Sequence, residues 1–306
     1  MKRSRARSNL TTIVTLAALM AFAACGTNPS TTQPGASPSA SVPTAKKNDT
    51  IAAKLPAALR QKGTLVVAMS VTSPPVHYYA DDGKTIVGLD PDLGRALGQV
   101  LGLTVDIQGV ELKQLISGMQ AGRYDVAVSQ LSPTKERQQV LDFFDYFKSG
   151  SKLAVKKGNP SHVSLSKADS LCGHTLAVET GSVQAQKYFP ELDQQCAAAG
   201  KSGIKSSGFP DKQSATLAVV SGRADAVLTD SPAVDYMIKK TGQIEGAGTY
   251  RLGPVAVGVL KNSGLLDPMR EALLDLMRQG VYKKILAQWG LEAGAITDPI
   301  VNDPSG

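Results

Sequence analysis

Histidine, cysteine and tryptophan are scarce in this chain, with three, three and one among 306 residues. His77, His162 and His174 show no metal-ligand spacing, and the pair Cys172 and His174 is too small a set for a zinc site. No G-x-S-x-G, Walker A or Rossmann glycine pattern occurs, so hydrolase, nucleotide-binding and metalloenzyme chemistry have no motif to stand on. No metal and no cofactor is therefore expected. The few cysteines exclude a disulfide-dense miniprotein. The apolar stretch Leu10 to Ala24 is about 15 residues long, short of the roughly 20 that a membrane-spanning helix needs. What is present is 42% hydrophobic and 19% charged. That excludes a disordered polyelectrolyte or a collagen-like chain and leaves one large or two ordinary globular domains.

The net charge of +7 suggests nucleic acid until its distribution is examined. Lys2, Arg3, Arg5 and Arg7 all fall in the first seven residues, and without them 29 basic residues face 26 acidic ones, a balance of +3. A mildly basic body gives no phosphate-tracking surface, so no nucleic-acid partner is expected. The basic head, the apolar middle and the small residues at its end read as a secretory signal over residues 1–24, the alternative being a retained membrane anchor. Phe22-Ala23-Ala24-Cys25 resembles the lipobox of bacterial lipoproteins, although that family prefers Leu where Phe22 stands. The resemblance implies cleavage before Cys25 and lipidation of its sulfur, and two acyl chains suit a stable anchor to the membrane. Residues 25–50 would then be the lipidated cysteine and a flexible linker, since Gly26 to Asp49 is Ser, Thr, Pro, Ala and Gly with almost no large apolar side chain. With Cys25 assigned to lipid, Cys172 and Cys196 remain as an even pair in an oxidising setting, where a disulfide persists. Two buried thiols are the competing reading.

The body alternates strand-like and helix-like segments. Thr64 to Ser70 is an apolar run of strand length. Asp82-Gly83 signals a hairpin, and Gly88 to Gly102 carries Leu93, Leu97 and Leu101 at helical spacing, with Asp90 as N-cap, Pro91 at the first helical position and Gly102 as terminator. Thr104 to Gln108, Asp125 to Ser129, Thr175 to Glu179 and Pro254 to Leu260 read as further strands. Glu111 to Gln120, Lys212 to Val220 and two segments between Leu265 and Gly290 read as helices. This order argues for an α/β class with a parallel or mixed sheet covered on both faces. Gly118 to Gln130 also repeats as Ala218 to Asp230. Gly122, Arg123 and Asp125 match Gly222, Arg223 and Asp225, either as common local chemistry or as two similar lobes. In the second reading Gln130 and Asp230 stand at equivalent carboxyl ends of strands, where open α/β sheets bind ligands.

Several spaced motifs, KGTLVVAMS, TSPPVHYYADDGKTIVGLDPDL, AGRYDVAVSQLSPTKERQQVLDF, CGHTLAVETGS, SGRADAVLTDSPAVDY and RQGVYKKILAQWGL, resemble the extracytoplasmic solute-binding proteins of polar amino acid ABC importers. The resemblance implies a two-lobed α/β fold with two crossing hinge strands, one lobe at 62–155 plus 254–295 and the other at 156–253. It also implies a monomer that takes a small amino acid ligand, meets an ABC transporter permease and works outside the cytoplasm, held to the cell membrane by lipid. Arg137 matches the arginine that clamps the ligand α-carboxylate, a task suited to a guanidinium's paired donors; alone it would pass for a solvated helix charge. Asp230 matches the acid that receives the ligand ammonium and also reads as an N-cap. Ser182 matches a residue whose backbone amide meets the carboxylate at a helix start, and Ser132 and Gln130 match hydroxyl and carbonyl contacts. The sequence departs from the family at Ser73 and Val76, where an aromatic and a Phe are usual. His77, Tyr78, Phe144 and Tyr236 are the candidates to cover the ligand in their place. A reversible binder follows from this reading; the alternative is a dehydratase-type enzyme of the same fold acting on a prephenate-like acid.

Overall fold

The structure is a computed structural model and describes residues 43–304. The expected signal segment, Phe22 and Cys25 lie outside the described residues. The described chain opens with helices α1 (Asp49–Ala52) and α2 (Ala57–Lys62), then β1 (Thr64–Met69), β2 (Thr72–Ser73), β3 (His77–Tyr79), β4 (Ile86–Val87), α3 (Leu89–Leu101), β5 (Thr104–Gly109), α4 (Leu112–Gln120) and β6 (Val126–Leu131). It continues through β7 (Leu141–Lys156), β8 (Thr175–Glu179), α5 (Phe189–Ala198), β9 (Lys205–Phe209), α6 (Lys212–Val220), β10 (Ala226–Asp230), α7 (Ser231–Thr241), β11 (Ile244–Leu260), α8 (Leu266–Arg278) and α9 (Val281–Trp289).

Eight strands form one mixed sheet in the order β5-β1-β6-β11-β7-β10-β8-β9. Its centre is the antiparallel pair β7 and β11, which stay in register from Ile244 opposite Lys156 to Leu260 opposite Leu141, with irregularities near Gly246, Tyr250 and Val255. These long strands are the two crossings. The sequence reading found only the Pro254 to Leu260 end of β11, because Gly246, Gly248 and Gly253 give its first half the look of a loop. Gly150 is one place where the pair needs glycine: a Cβ there would lie 2.7 Å from the Arg251 carbonyl oxygen.

The buried apolar side chains divide on either side of this pair. One pair of clusters joins β1, β6, α3, α4, α8 and α9, with Leu65, Leu97, Val126, Leu115, Leu273 and Ile285 fully buried. The other pair gathers Leu153, Leu176, Leu192 and Leu228 on one face and Ala177, Ala218, Val227 and Val234 on the other. Cys172 and Cys196 form a disulfide with Cα atoms 5.5 Å apart, tying the turn before β8 to α5. Closing a loop of this size contributes about 3 kcal/mol in the chain-entropy model.

The repeated motif has one structural meaning in both copies. Gly122 and Gly222 take left-handed φ values of +72° and +77° after α4 and α6, a conformation glycine adopts at little cost. Asp125 then accepts from the Val66 amide of β1 at 2.8 Å, and Asp225 from the Thr175 amide of β8 at 2.8 Å. Each aspartate therefore stitches its strand to the parallel neighbour at the entry, which sets which residue emerges at the exit.

Two local expectations are corrected. The linker does not run to residue 50: Ala45 is buried and its amide donates to Gln99 Oε1, Lys46 N donates to Gln279 Oε1, and Asn48 caps α1. The partners lie 54 and 233 residues away, so local composition carries no trace of them. Asp90 is also not the N-cap of α3. The helix begins at Leu89 after Gly88, and Asp90 is drawn into the protein by two distant side chains.

Candidate functional site

Arg137, Glu179 and Asp230 come from the carboxyl ends of β6, β8 and β10 or the turn that follows, and Lys212 joins them from the start of α6 after β9. Arg137 lies in a short helical turn after β6 and is 7% exposed. Its Nη1 donates to the Ser132 carbonyl at 3.0 Å and its Nη2 to the Gly181 carbonyl at 3.0 Å. The guanidinium thus bridges one half of the sheet to the other. Burial pulls its pKa down to about 10 against the opposing pull of Glu179 and Asp230, so it stays charged at neutral pH.

Asp230 is the last residue of β10. Its Oδ1 accepts from Gln184 Nε2 at 2.8 Å, and its Oδ2 faces Lys212 Nζ at 2.5 Å. Lys212 opens α6, with Asp211 as N-cap. Burial works against its ammonium, but Asp230 and Glu179 outweigh that and hold its pKa above the ordinary lysine value. The same Nζ donates to Gln130 Oε1 at 3.3 Å, a second bridge between the halves. Beside this pair stands Glu179, the last residue of β8, which is 3% exposed with neither carboxylate oxygen hydrogen-bonded. Burial pushes its pKa up to about 7, against the pull of Lys212.

Gln130 is itself strained. Its φ is +47°, a region that costs a residue with a side chain roughly 1–2 kcal/mol. Its amide donates to Asp90 Oδ2 at 3.2 Å and its side-chain oxygen accepts from Ser73 Oγ at 2.9 Å, while its Nε2 has no partner. Asp90 anchors a buried network beneath it, with Tyr146 OH donating to Oδ1 at 2.5 Å and His77 Nδ1 at 2.7 Å from Oδ2. Burial lowers the His77 pKa in spite of Asp90, and burial raises the Tyr146 phenol well above its ordinary value.

Of the residues expected from sequence, Arg137, Asp230, Gln130 and the Ser132 carbonyl therefore converge. Ser182 is turned elsewhere: its amide and hydroxyl both donate to the Glu179 carbonyl, at 3.2 and 2.7 Å, and the hydroxyl also caps the Ala185 amide. A local turn has taken the amide that was expected to face a ligand. Among the candidate cover residues, Phe144 is fully buried in the core and His77 is committed to Asp90. Tyr78 and Tyr236 meet instead, with ring centroids 6.1 Å apart, one from each half. The sequence reading missed Glu179, Lys212 and Gln184. Glu179 carried the available signal, a charge closing an apolar strand at the same end of the sheet as Asp230. Lys212 and Gln184 read as ordinary helix-start residues.

The arrangement brings together a buried guanidinium, suited to an anionic group, and two carboxylates, suited to a cation. Among the described residues no group of three His, Cys, Asp or Glu side chains stands together as a metal site, and no helix is long and apolar enough to cross a membrane.

Comparison with known proteins gives a consistent neighbourhood. The model of the bacterial extracellular solute-binding proteins, family 3, matches residues 65–292. The arginine-binding protein ArgT of Corynebacterium glutamicum is 30% identical over 255 residues, covering 83% of each chain. An ancestral arginine-binding protein solved with arginine superposes with a TM-score of 0.67 at 31% identity, over 74% of this chain and 98% of that one. An ancestral amino acid-binding protein described as a precursor of cyclohexadienyl dehydratase gives a TM-score of 0.67 at 27% identity, over 76% and 97%.

Proposed function

Because the chain belongs to the bacterial extracellular solute-binding proteins, family 3, we propose that it captures an amino acid outside the cell by closing two lobes over it and delivers it to an ABC importer. The lobes are taken as 62–155 plus 254–295 and 156–253. Arg137 receives the α-carboxylate, and Asp230 receives the α-ammonium, with Gln130 and Ser132 lining the junction between them. The observation that carries this reading is the buried Arg137, whose two carbonyl partners come one from each half of the sheet. A ligand that satisfies Arg137 and Asp230 together binds the closed state far better than the open one, and that difference in affinity shifts the hinge equilibrium.

The arginine-binding names of the relatives make L-arginine the first ligand to try. Binding is reversible and no covalent step is involved, so the chain works as a binder and not as a dehydratase. It acts as a monomer, and lipidation of Cys25 holds it to the outer face of the membrane through the linker that follows. The test is a thermal-shift and turnover screen of the full chain against L-amino acids and prephenate-like acids. Stoichiometric stabilisation by an amino acid without turnover is expected. Turnover of a screened acid, or silence across the amino acids, contradicts the reading.

A further inference from the structure

Lys212 stands where an incoming ammonium would go. Its Nζ is 2.5 Å from Asp230 Oδ2 and its side chain is 7% exposed, so its ammonium is held largely out of water. Two strands emerge side by side here. β8 and β10 run parallel with Val227 opposite Ala177, which brings Glu179 and Asp230 out at neighbouring ends. β9 pairs with β8 at Phe209 opposite Glu179, and the chain reaches Lys212 three residues later. In the order β10-β8-β9 Glu179 therefore stands between the strand that ends at Asp230 and the strand that leads to Lys212, near enough for its charge to act on the Lys212 ammonium. Asp230 is paired with Lys212, while both Glu179 oxygens are buried without a hydrogen bond.

We propose that Lys212 is a positioning residue that holds the ammonium seat at Asp230 until a ligand takes it, and that Glu179 is the carboxylate to which Lys212 then moves. The inference rests on the reading that Asp230 receives the ligand ammonium. Its physical basis is charge pairing in a buried place, where an unpaired ion is far costlier than an exchanged one. After the exchange the ligand carboxylate faces Arg137, its ammonium faces Asp230, and Lys212 faces Glu179. Each of these buried charges then has an opposite partner, and Glu179, whose oxygens have no hydrogen bond in the present arrangement, gains one. The four-carbon stem of lysine allows such a move without shifting the backbone. The present arrangement also joins the lobes, since Lys212 reaches Gln130 Oε1 at 3.3 Å, so the lysine is a stand-in for the ligand in both position and effect.

The test is a calorimetric cycle on the full chain with L-arginine, L-glutamine and L-cystine as probes, using Glu179→Gln, Lys212→Gln and the double variant. Glutamine keeps size and polarity at both positions. Glu179→Gln is expected to weaken binding about tenfold or more, Lys212→Gln to tighten it, and Glu179→Gln to change affinity less than about twofold when Lys212 is already replaced. Equal weakening in both backgrounds overturns the proposal, because Glu179 would then contact the ligand itself. Loss of binding in Lys212→Gln overturns it likewise. X-ray scattering without ligand is independent of the binding reading: Lys212→Gln is expected to have a larger radius of gyration than the parent, and an unchanged radius overturns the stand-in role. Should no probe bind the parent, the amino-acid reading fails and the scattering result alone decides on Lys212.

Discussion

The two copies of the repeat, 118–130 and 218–230, use the same parts up to their last residue and then diverge. In both a helix ends at a left-handed glycine, an aspartate ties the strand to its parallel neighbour, and a buried strand follows. At the exit one copy presents Gln130, a neutral amide in a strained backbone held by Asp90 and Ser73. The other presents Asp230, a carboxylate paired with Lys212 and Gln184. The common parts are scaffold, and on the proposed reading selection of a ligand falls to the residues at the strand exits, where open sheets bind at their carboxyl ends.

The comparison breaks most visibly at the exits. Asp230→Asn is expected to cost roughly 3–5 kcal/mol of binding free energy, because a buried ligand ammonium loses its charged partner; calorimetry with the stabilising amino acid measures it. A loss below about 1 kcal/mol would place the ammonium elsewhere.

A second contrast is in pH dependence. Glu179, pushed by burial from 4.5 up to about 7, binds its proton more tightly in the folded chain than in the unfolded one. Its contribution is therefore fully present at pH below 4.5 and is lost as pH rises toward about 7, to the extent of up to about 3 kcal/mol in the ligand-free protein. Asp145 in the other lobe, pushed by burial and Asp303 up to about 7, gives a fall with the same sign from 3.8 upward. Denaturant melts across pH 4 to 8 should lose one share in Glu179→Gln and the other in Asp145→Asn. An unaltered profile in Glu179→Gln contradicts the burial of an unpaired acid at the β8 exit.

The smallest effect tests the shared scaffold. Asp125→Asn and Asp225→Asn are each expected to cost about 1 kcal/mol of stability through a weakened, partly buried hydrogen bond at the strand entry, and to agree within about 1 kcal/mol. Urea unfolding decides. A loss in one copy only would make the repeat a coincidence of local chemistry.

The two exits also show what can be read from sequence. The repeat, the glycine terminators and the run Thr175 to Glu179 were legible because their causes are local: a left-handed turn, an aspartate at strand entry and an apolar strand. Arg137 and Asp230 enter the proposed site through the motifs around them. Lys212 and Asp90 were not legible, since a lysine opening a helix and an aspartate before a proline look the same whether they meet water or a buried partner. Lys212 finds Gln130 82 residues away and Asp90 finds Tyr146 56 residues away, and only the folded chain supplies those neighbours. The tether's end was misjudged for the same reason, because Ala45 and Lys46 look like linker yet their amides donate to distant Gln99 and Gln279.

On the proposed reading a ligand's two charges are satisfied together only when the lobes close. This is tested most directly by X-ray scattering of the parent, Arg137→Ala and Asp230→Asn with saturating ligand. Ligand is expected to hold the parent in its most compact form and to fail to compact either single variant. A variant that binds the amino acid and closes as the parent does would contradict that reading.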